Sequence, residues 1–576
     1  MGAANSVLLG YAQGGEPVYL PPKVRQTHMH IIGGTGKGKS KLIESMIRQD
    51  ILSGQGLCLI DPHGQLCDDV LAWCQAKKIT KTRSVLLFEP AEEDWAFAFN
   101  PLKVDSGQLS YHVDFMVKAF AKVWGGENTD QTPLFERCIT AILWLLAEQG
   151  RPLIDARYLI DRTDPTVRRY LAEKLQNPDI RREWDYFNTL KPRPFNDEFG
   201  STINRMGRFL RSPTIKSIIG QVEDPIDFRR VMDEGAVLLV NLGTKGNLSR
   251  EEARLLGTLM VNDLFMKALD RQASCRPFYL YIDECARFLN DDIHYILDET
   301  RKFGLHLILA HQRLGQLREA GENIYNAVMS IENKAILGGI FKDDAQELAQ
   351  QVFLGELNLE EAKESLRKPA VVGYDRERLV SYSRSVGQSQ GSSSSWGAGQ
   401  SESVSESRSV AYQYPGEGAF APVGTSTTRS RGASSLRSTS ESYGQSETTS
   451  ESESWGWAEA LVPRLEWLPG SVFSLEEQVH KATAKMVNQP PQRAIVKLGS
   501  RATKFIKTLD IQPAVAKEEW KRQFKEQCYQ LARPAFVKPR ALVQAQMDTR
   551  LLALEEEARQ AMSGDEEPVE APEFWE

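Results

Sequence analysis

The sequence predicts an α/β fold with a mainly parallel central sheet, an inserted all-α domain and a disordered serine-rich insertion. Three observations carry that prediction. Short apolar runs recur with helix-length segments between them, at Met29–Ile32, Gly56–Ile60, Val85–Phe88, Val237–Val240, Phe278–Ile282, His306–Ala310 and Lys334–Leu337. Strands spaced in this way indicate a parallel sheet covered on both faces. Between Val85–Phe88 and Val237–Val240 lies a long interval with almost no strand signal, and from about Ser381 to Ser454 the composition changes abruptly.

Taken in order, residues 1–28 are an N-terminal segment and residues 29–106 the first part of a nucleotide-binding domain. Behind the Met29–Ile32 run stands Gly33-Gly34-Thr35-Gly36-Lys37-Gly38-Lys39-Ser40, which fits G-x-x-x-x-G-K-[ST] without a gap. Leu42, Ile43, Met46 and Ile47 then recur at helical spacing. A loop between strand and helix turns its backbone N–H groups toward a polyphosphate at the positive end of the helix. Lys39 is placed to reach the β- and γ-phosphates of ATP, and Ser40 to hold Mg²⁺.

Residues 107–232 read as the all-helical insertion, with Val113, Met116, Val117 and Phe120, then Leu134, Cys138, Ile142 and Leu145, at helical spacing. The nucleotide-binding domain resumes over residues 233–380. There Phe278-Tyr279-Leu280-Tyr281-Ile282-Asp283-Glu284 is a buried strand ending in two acids. Such a strand delivers Asp283 to the Mg²⁺ shell and leaves Glu284 to take a proton from the attacking water. Leu52-Ser53-Gly54-Gln55-Gly56 looks like the signature of ABC ATPases, but it follows the phosphate loop by one helix instead of preceding the acidic strand. It reads as a helix stop. Gln312 follows the strand ending Leu309-Ala310-His311, beside the expected γ-phosphate, where an amide can sense hydrolysis. Arg301 ends the intervening helix; a cation reaching in from a neighbouring subunit assists phosphoryl transfer, although an arginine at a helix end commonly serves the helix dipole.

Serine supplies roughly a third of residues 381–454, too few apolar side chains to fold, so this stretch reads as a disordered spacer. Residues 455–514 return to core strands, with Ala494–Leu498 and Lys504–Lys507 as a pair. Residues 515–576 are a charged helical region ending in an acidic tail (Asp565, Glu566, Glu567, Glu570, Glu573, Glu576) with Phe574-Trp575 near its end.

Composition sets outer limits. The 576 residues allow three or four domains, and a net charge of −7 means that any nucleic-acid contact comes from a local patch or a ring that concentrates positive charge. The seven cysteines show no C-x-x-C pair and no zinc-like grouping. The sequence has no signal peptide, and its longest apolar run, Cys138–Ala147, is half of the ~20 residues a membrane helix needs. A cytoplasmic protein, with peripheral association to a membrane complex open to it, is the expectation.

With these pieces in order, the chain resembles the HerA/FtsK superfamily of ring-forming DNA-pumping P-loop ATPases of RecA-like type, and within it the coupling ATPases of conjugative type IV secretion. The likeness runs from Leu8-Leu9-Gly10-Tyr11 to about Phe353 and rests on Gly33–Ser40, Asp61-Pro62-His63-Gly64, Phe99-Asn100-Pro101-Leu102, Tyr281-Ile282-Asp283-Glu284, Arg301-Lys302-Phe303-Gly304 and Ala310-His311-Gln312. It implies a homohexamer with DNA in its channel and ATP at subunit interfaces. Arg301 would then be the trans-acting finger and Gln312 the sensor, with a relaxase, nuclease or secretion-channel partner alongside. Asp61 and His63 fall at a strand's carboxyl end, either as ligand contacts or as a loop-ordering turn. Membrane-bound coupling proteins carry transmembrane helices ahead of the ATPase domain, and the 28 residues ahead of Met29 hold none.

Three functions compete. In the first, a DNA-stimulated ATPase drives DNA through a hexameric ring for transfer of a mobile element, gripping the phosphate backbone without regard to sequence. Arg168, Arg169, Arg181, Arg182, Lys191, Arg193, Arg205, Arg208 and Arg211 of the helical insertion are candidates for that grip, each also readable as a solvated helix face. In the second, the motor serves DNA-end processing or genome packaging with a separate partner. In the third, an ATP-gated scaffold recruits a protein substrate.

Overall fold

The computed structural model describes residues 5–104, 109–124, 132–244, 246–272, 275–353, 367–392, 401–413, 421–434, 445–469, 474–514, 517–532 and 536–563. The chain divides into two units: Met1–Leu359 together with Phe473–Glu576, and Glu360–Val472.

The first unit opens with β1 (Val7–Ala12), β2 (Pro17–Leu20), the short α1 (Pro22–Arg25) and β3 (Met29–Ile32). The phosphate-loop sequence leads into α2 (Lys39–Leu52), followed by β4 (Gly56–Asp61), α3 (Gln65–Ala76), β5 (Val85–Phe88) and β6 (Trp95–Phe97). Among the described residues, eight α-helices then run before the next strand: α4 (Leu109–Trp124), α5 (Thr132–Glu148), α6 (Ala156–Leu159), α7 (Thr166–Glu173), α8 (Pro178–Thr189), α9 (Pro192–Arg211), α10 (Pro213–Ile219) and α11 (Phe228–Glu234). After them come β7 (Val237–Asn241), α12 (Arg250–Leu269), β8 (Phe278–Ile282), α13 (Ile293–Glu299), β9 (Leu305–His311), α14 (Leu314–Ala320), α15 (Glu322–Ser330), β10 (Lys334–Leu337) and α16 (Lys342–Phe353).

Eleven strands make one sheet in the order β2-β1-β16-β15-β10-β3-β9-β8-β4-β7-β5, where β15 (Arg493–Lys497) and β16 (Lys504–Thr508) come from beyond the serine-rich stretch. From β10 to β5 every pairing is parallel, and from β10 back to β2 every pairing is antiparallel. In β3, β4, β5, β7, β8 and β9 every residue is buried, which is why these strands read as unbroken apolar runs. Edge strand β2 instead alternates exposed and buried residues. Helix α2 lays Leu42, Ile43, Met46, Ile47 and Ile51 into the core. Arg25 is pinned there too, its guanidinium forked onto Asp50 of α2 and 3.5 Å from the centre of the Tyr279 ring of β8.

The helices between β6 and β7 have an aromatic centre of their own. Trp184, Phe187, Phe195 and Phe199 are all buried, with Phe195 and Phe199 stacked at 4.4 Å. Asn177 fixes the start of α8 by accepting from the N–H groups of Asp179 and Ile180 ahead of a proline at the first helical position.

Both ends of the chain enter the unit, which a reading by segments did not anticipate. β1 pairs with β16, so Val7–Ala12 and, through it, β2 extend the sheet. After α17 (Leu475–Val487), β15 and β16 come α18 (Glu518–Leu531), β17 (Val537–Pro539) and α19 (Arg540–Ser563). β17 pairs with β6, and α19 buries Val543, Met547, Leu551, Leu554 and Ala558, a stripe of helical period within a strongly charged sequence. Arg550 of α19 forks onto the buried Asp155 at 2.9 and 2.8 Å. The acidic tail from Asp565 and the Phe574-Trp575 pair lie outside the described residues.

In the second unit β11 (Arg367–Ser392) pairs antiparallel with β14 (Gln445–Pro469), and β12 (Ser401–Gln413) with β13 (Ala421–Ser434). The described serine-rich residues contribute no strand to the eleven-stranded sheet; they lie in these two antiparallel pairs. No helix among the described residues is long and apolar enough to cross a membrane.

Candidate functional site

The site assembles where β3, β9 and β8 end, at the carboxyl edge of the sheet. Register brings Ile32 of β3 beside His311 of β9, and Ile282 of β8 beside Leu309. The glycine loop is held by backbone: Gly33 N–H donates to His311 (3.4 Å) and Gly34 N–H to Gly338, just past β10 (3.0 Å). A Cβ on Gly34 would stand 2.3 Å from the Gly339 carbonyl oxygen, so only glycine fits. Gly38 caps α2 at φ +103°, a conformation that L side chains avoid. The first helical bond of α2 is Leu42 N–H to Gly38. The N–H groups of the preceding positions therefore have no intrahelical acceptor and form an anion seat.

Into this seat reaches Lys39, and opposite it β8 delivers two acids. Lys39 Nζ lies 2.6 Å from Asp283 Oδ1 and 2.8 Å from Glu284 Oε1, all three side chains being buried. Glu284 sits at φ +49°, an uncommon position for a residue with a side chain and one concentrated at functional sites. Gln312 Nε2 donates to Glu284 Oε1 (2.7 Å), Gln316 Nε2 to Glu284 Oε2 (3.3 Å), and Thr35 Oγ1 to Gln312 Oε1 (3.1 Å). The loop, the amide after β9 and the acid after β8 thus form one connected network. Burial opposes the charge of Glu284, but Lys39 and the Gln312 amide outweigh it and hold its carboxyl below the ordinary range. Burial likewise opposes the charge of Lys39, and the two acids outweigh it, raising its affinity for a proton. Glu284 is a carboxylate at neutral pH and so a proton acceptor.

At the β3–β9 seam the rings of His30 and His311 stack at 4.8 Å with their Nε2 atoms 2.6 Å apart. His311 Nδ1 donates to the Arg313 carbonyl, so its Nε2 accepts from His30. Burial pushes the His311 imidazole down to about 4 and that of His30 well below its usual value, which keeps both neutral.

A cleft of about 420 Å³ opens over the loop, bounded by Lys39, Ser40, His63, Asp283 and Gln312 and on its far side by Pro491 and Gln492. Asp61 is not at its surface. It accepts from the N–H groups of His63 (2.9 Å) and Cys67 (3.0 Å), so it orders the loop and caps α3, while burial raises its pKa. Of the two readings of Asp61-Pro62-His63-Gly64, the ordering turn describes Asp61, while His63 lines the cleft. Phe99-Asn100-Pro101-Leu102 is another turn: Asn100 Oδ1 accepts from Leu102 N–H (3.0 Å), with Phe99 and Leu102 in the core. As for Mg²⁺, the Ser40 hydroxyl and the Asp283 carboxylate face one cleft, and no cluster of three or more His, Cys, Asp or Glu suited to a metal exists among the described residues. That donor set fits a cation carried mainly by phosphate and water rather than by an all-protein cage.

Two groups lay beyond the sequence reading. Gln316 had a local signal, since its Oε1 also accepts from the N–H groups of Gln312 and Arg313 at the start of α14. Gln489–Gln492 had none. Lys37 Nζ donates to Gln489 O (3.3 Å) and Gln492 N–H to Lys37 O (3.0 Å), across the whole serine-rich stretch. Arg301 is not brought to this site. It lies exposed in the turn ahead of β9, a strand's length (about 20 Å) from Gln312. Among the arginines proposed to grip DNA, Arg168 is a correction. It is buried, donates to Asn188 and the Asp161 carbonyl, and stacks 4.3 Å over Phe195, so it holds the helices together.

No protein-family model matches the chain, and no curated protein does. Among solved structures it is similar to the bacterial conjugative coupling protein TrwBdeltaN70 in its unbound form, at 13% identity and a TM-score of 0.47 over 89% of this chain and 90% of that one. The plasmid coupling protein TrwB in complex with ADP and Mg²⁺ gives 14% identity and 0.44 over 88% and 91%. VirB4 of Thermoanaerobacter pseudethanolicus gives 13% and 0.37 over 62% and 89%.

Proposed function

We propose that this chain is an ATPase of the type IV secretion and conjugation class, and that hydrolysis moves DNA through a ring of its subunits. The observation that carries the ATPase reading is the convergence of Lys39, Asp283, Glu284 and Gln312 on one cleft at the head of α2. Lys39 and the first-turn N–H groups of α2 bind the β- and γ-phosphates. Ser40 and Asp283 would hold Mg²⁺, which would offset phosphate charge. Glu284, held by two glutamine amides, takes the proton of the attacking water, and the Thr35–Gln312 bond connects the nucleotide loop to β9.

Two features support subunits acting together on DNA. Arg301 stands exposed away from its own cleft, as a residue serving a neighbour's site must, and the motif set resembles that of hexameric DNA pumps. The deciding experiment compares ATP turnover with and without duplex and single-stranded DNA across a salt series, with Glu284→Gln as blank. A DNA stimulation that fades with salt supports the motor. A rate indifferent to DNA but raised by a protein partner supports the recruiting scaffold instead.

A further inference from the structure

A second cleft, about 610 Å³ in volume, adjoins the nucleotide cleft and shares His63 and Glu284 with it. Its wall carries three arginines from two elements: Arg250 and Arg254 on the first turns of α12, and Arg287 in the turn that follows the acidic pair. None of the three forms an ion pair with a carboxylate among the described residues. Arg254 Nε donates to the Arg287 carbonyl at 3.3 Å, which ties the two positions together. The other acid on the wall, Glu319, is exposed. Arg250 and Arg287 are exposed and Arg254 half-buried, so three like charges share one wall, and an anion in the cleft relieves their repulsion. Guanidinium forks match phosphate oxygens in planar, bidentate fashion.

We propose that this cleft is a phosphate-binding site, with Arg250, Arg254 and Arg287 as its cations, joined to the hydrolysis site through Glu284. The inference rests on the ATPase reading of Glu284 but not on DNA being the substrate. Burial of Arg254, and then the nearby Arg287, lower its proton affinity, as befits a cation short of a partner. The phosphate comes either from a phosphodiester strand or from inorganic phosphate leaving the hydrolysis site, and the two sources separate in the test.

The test uses the full chain, the double variant Arg254→Ala/Arg287→Ala and its partner Arg254→Lys/Arg287→Lys, which keeps the charges. Affinity for a labelled single-stranded oligonucleotide is measured against salt, together with the ratio of ATP turnover with and without DNA and the inhibition of turnover by inorganic phosphate. For a phosphodiester, the alanine variant reduces the slope of log K against log [salt] by about 1.4, the loss of two contacts, and brings the turnover ratio toward one; the lysine variant keeps most of the slope. For departing phosphate, the slope is unchanged and the inhibition constant rises about tenfold or more. An alanine variant that matches wild type in both slope and phosphate inhibition overturns the proposal. Wild-type protein that neither binds DNA nor is stimulated by it removes the DNA motor, and the phosphate arm still decides the cleft.

Discussion

Lys39 neutralises two buried carboxylates at once, and its removal therefore has two separable effects. Lys39→Ala takes away the phosphate contact and leaves Asp283 and Glu284 without their cation. We expect nucleotide binding or turnover to be abolished and stability to fall by about 3 kcal/mol, the low end for a broken buried pair, read as a lower denaturation midpoint. Glu284→Gln keeps the shape and loses the base. It should bind ATP like wild type while turnover drops by about 10²–10⁴-fold, and wild-type turnover in that variant would remove Glu284 from the chemistry. Lys39, Asp283, Glu284 and Gln312 were legible in the sequence because each sits in a short contiguous pattern with a chemical reason for its spacing. Gln492 and the arginine cleft were not, because their neighbours are chosen by chain crossings that no local pattern encodes.

At the scale of elements, the β3–β9 seam predicts a pH response. His28, His306 and His311 are pushed down to about 4, 3 and 4, chiefly by burial, and His30 lies well below its usual value. These groups are neutral in the folded protein, whereas the unfolded chain takes up protons below about pH 6.5. The stability they contribute is therefore complete above about 6.5 and lost as pH falls toward the folded values. The denaturation midpoint should decline between pH 7 and pH 5, before the depressed carboxyl of Glu284 begins to titrate, and a flat midpoint over that range would contradict the assignment. The seven parallel strands were readable because burial on both faces writes an unbroken apolar run. β1, β2, β6 and β17 were not. They are short, alternate or carry glycine and proline; β1, β6 and β17 are strands because a distant partner pairs with them, as Phe97 does with Val537, and β2 pairs with β1.

At the scale of the molecule, the chain leaves the first unit after α16 and returns at α17, and these two helices pack on each other. Ser385 and Ser452 are register partners, so replacing the residues between them with a short glycine linker joins neighbours. ATPase activity should persist in that variant, and its loss in a soluble product would place the boundary elsewhere. Arg301→Ala and Glu284→Gln proteins, each weak alone, should regain activity when mixed if one subunit's arginine serves its neighbour; no recovery in mixed oligomers would count against that role. The far wall of the nucleotide cleft touches Lys37 from 452 positions downstream. At ~5–20 residues per second, a ribosome finishes the glycine loop some 20–90 s before it makes Gln489. A nascent or truncated chain ending near Phe353 carries every motif from the phosphate loop to Gln312 and lacks the wall that closes the cleft over them. Completion of the nucleotide cleft is thus a late event in the synthesis of each chain.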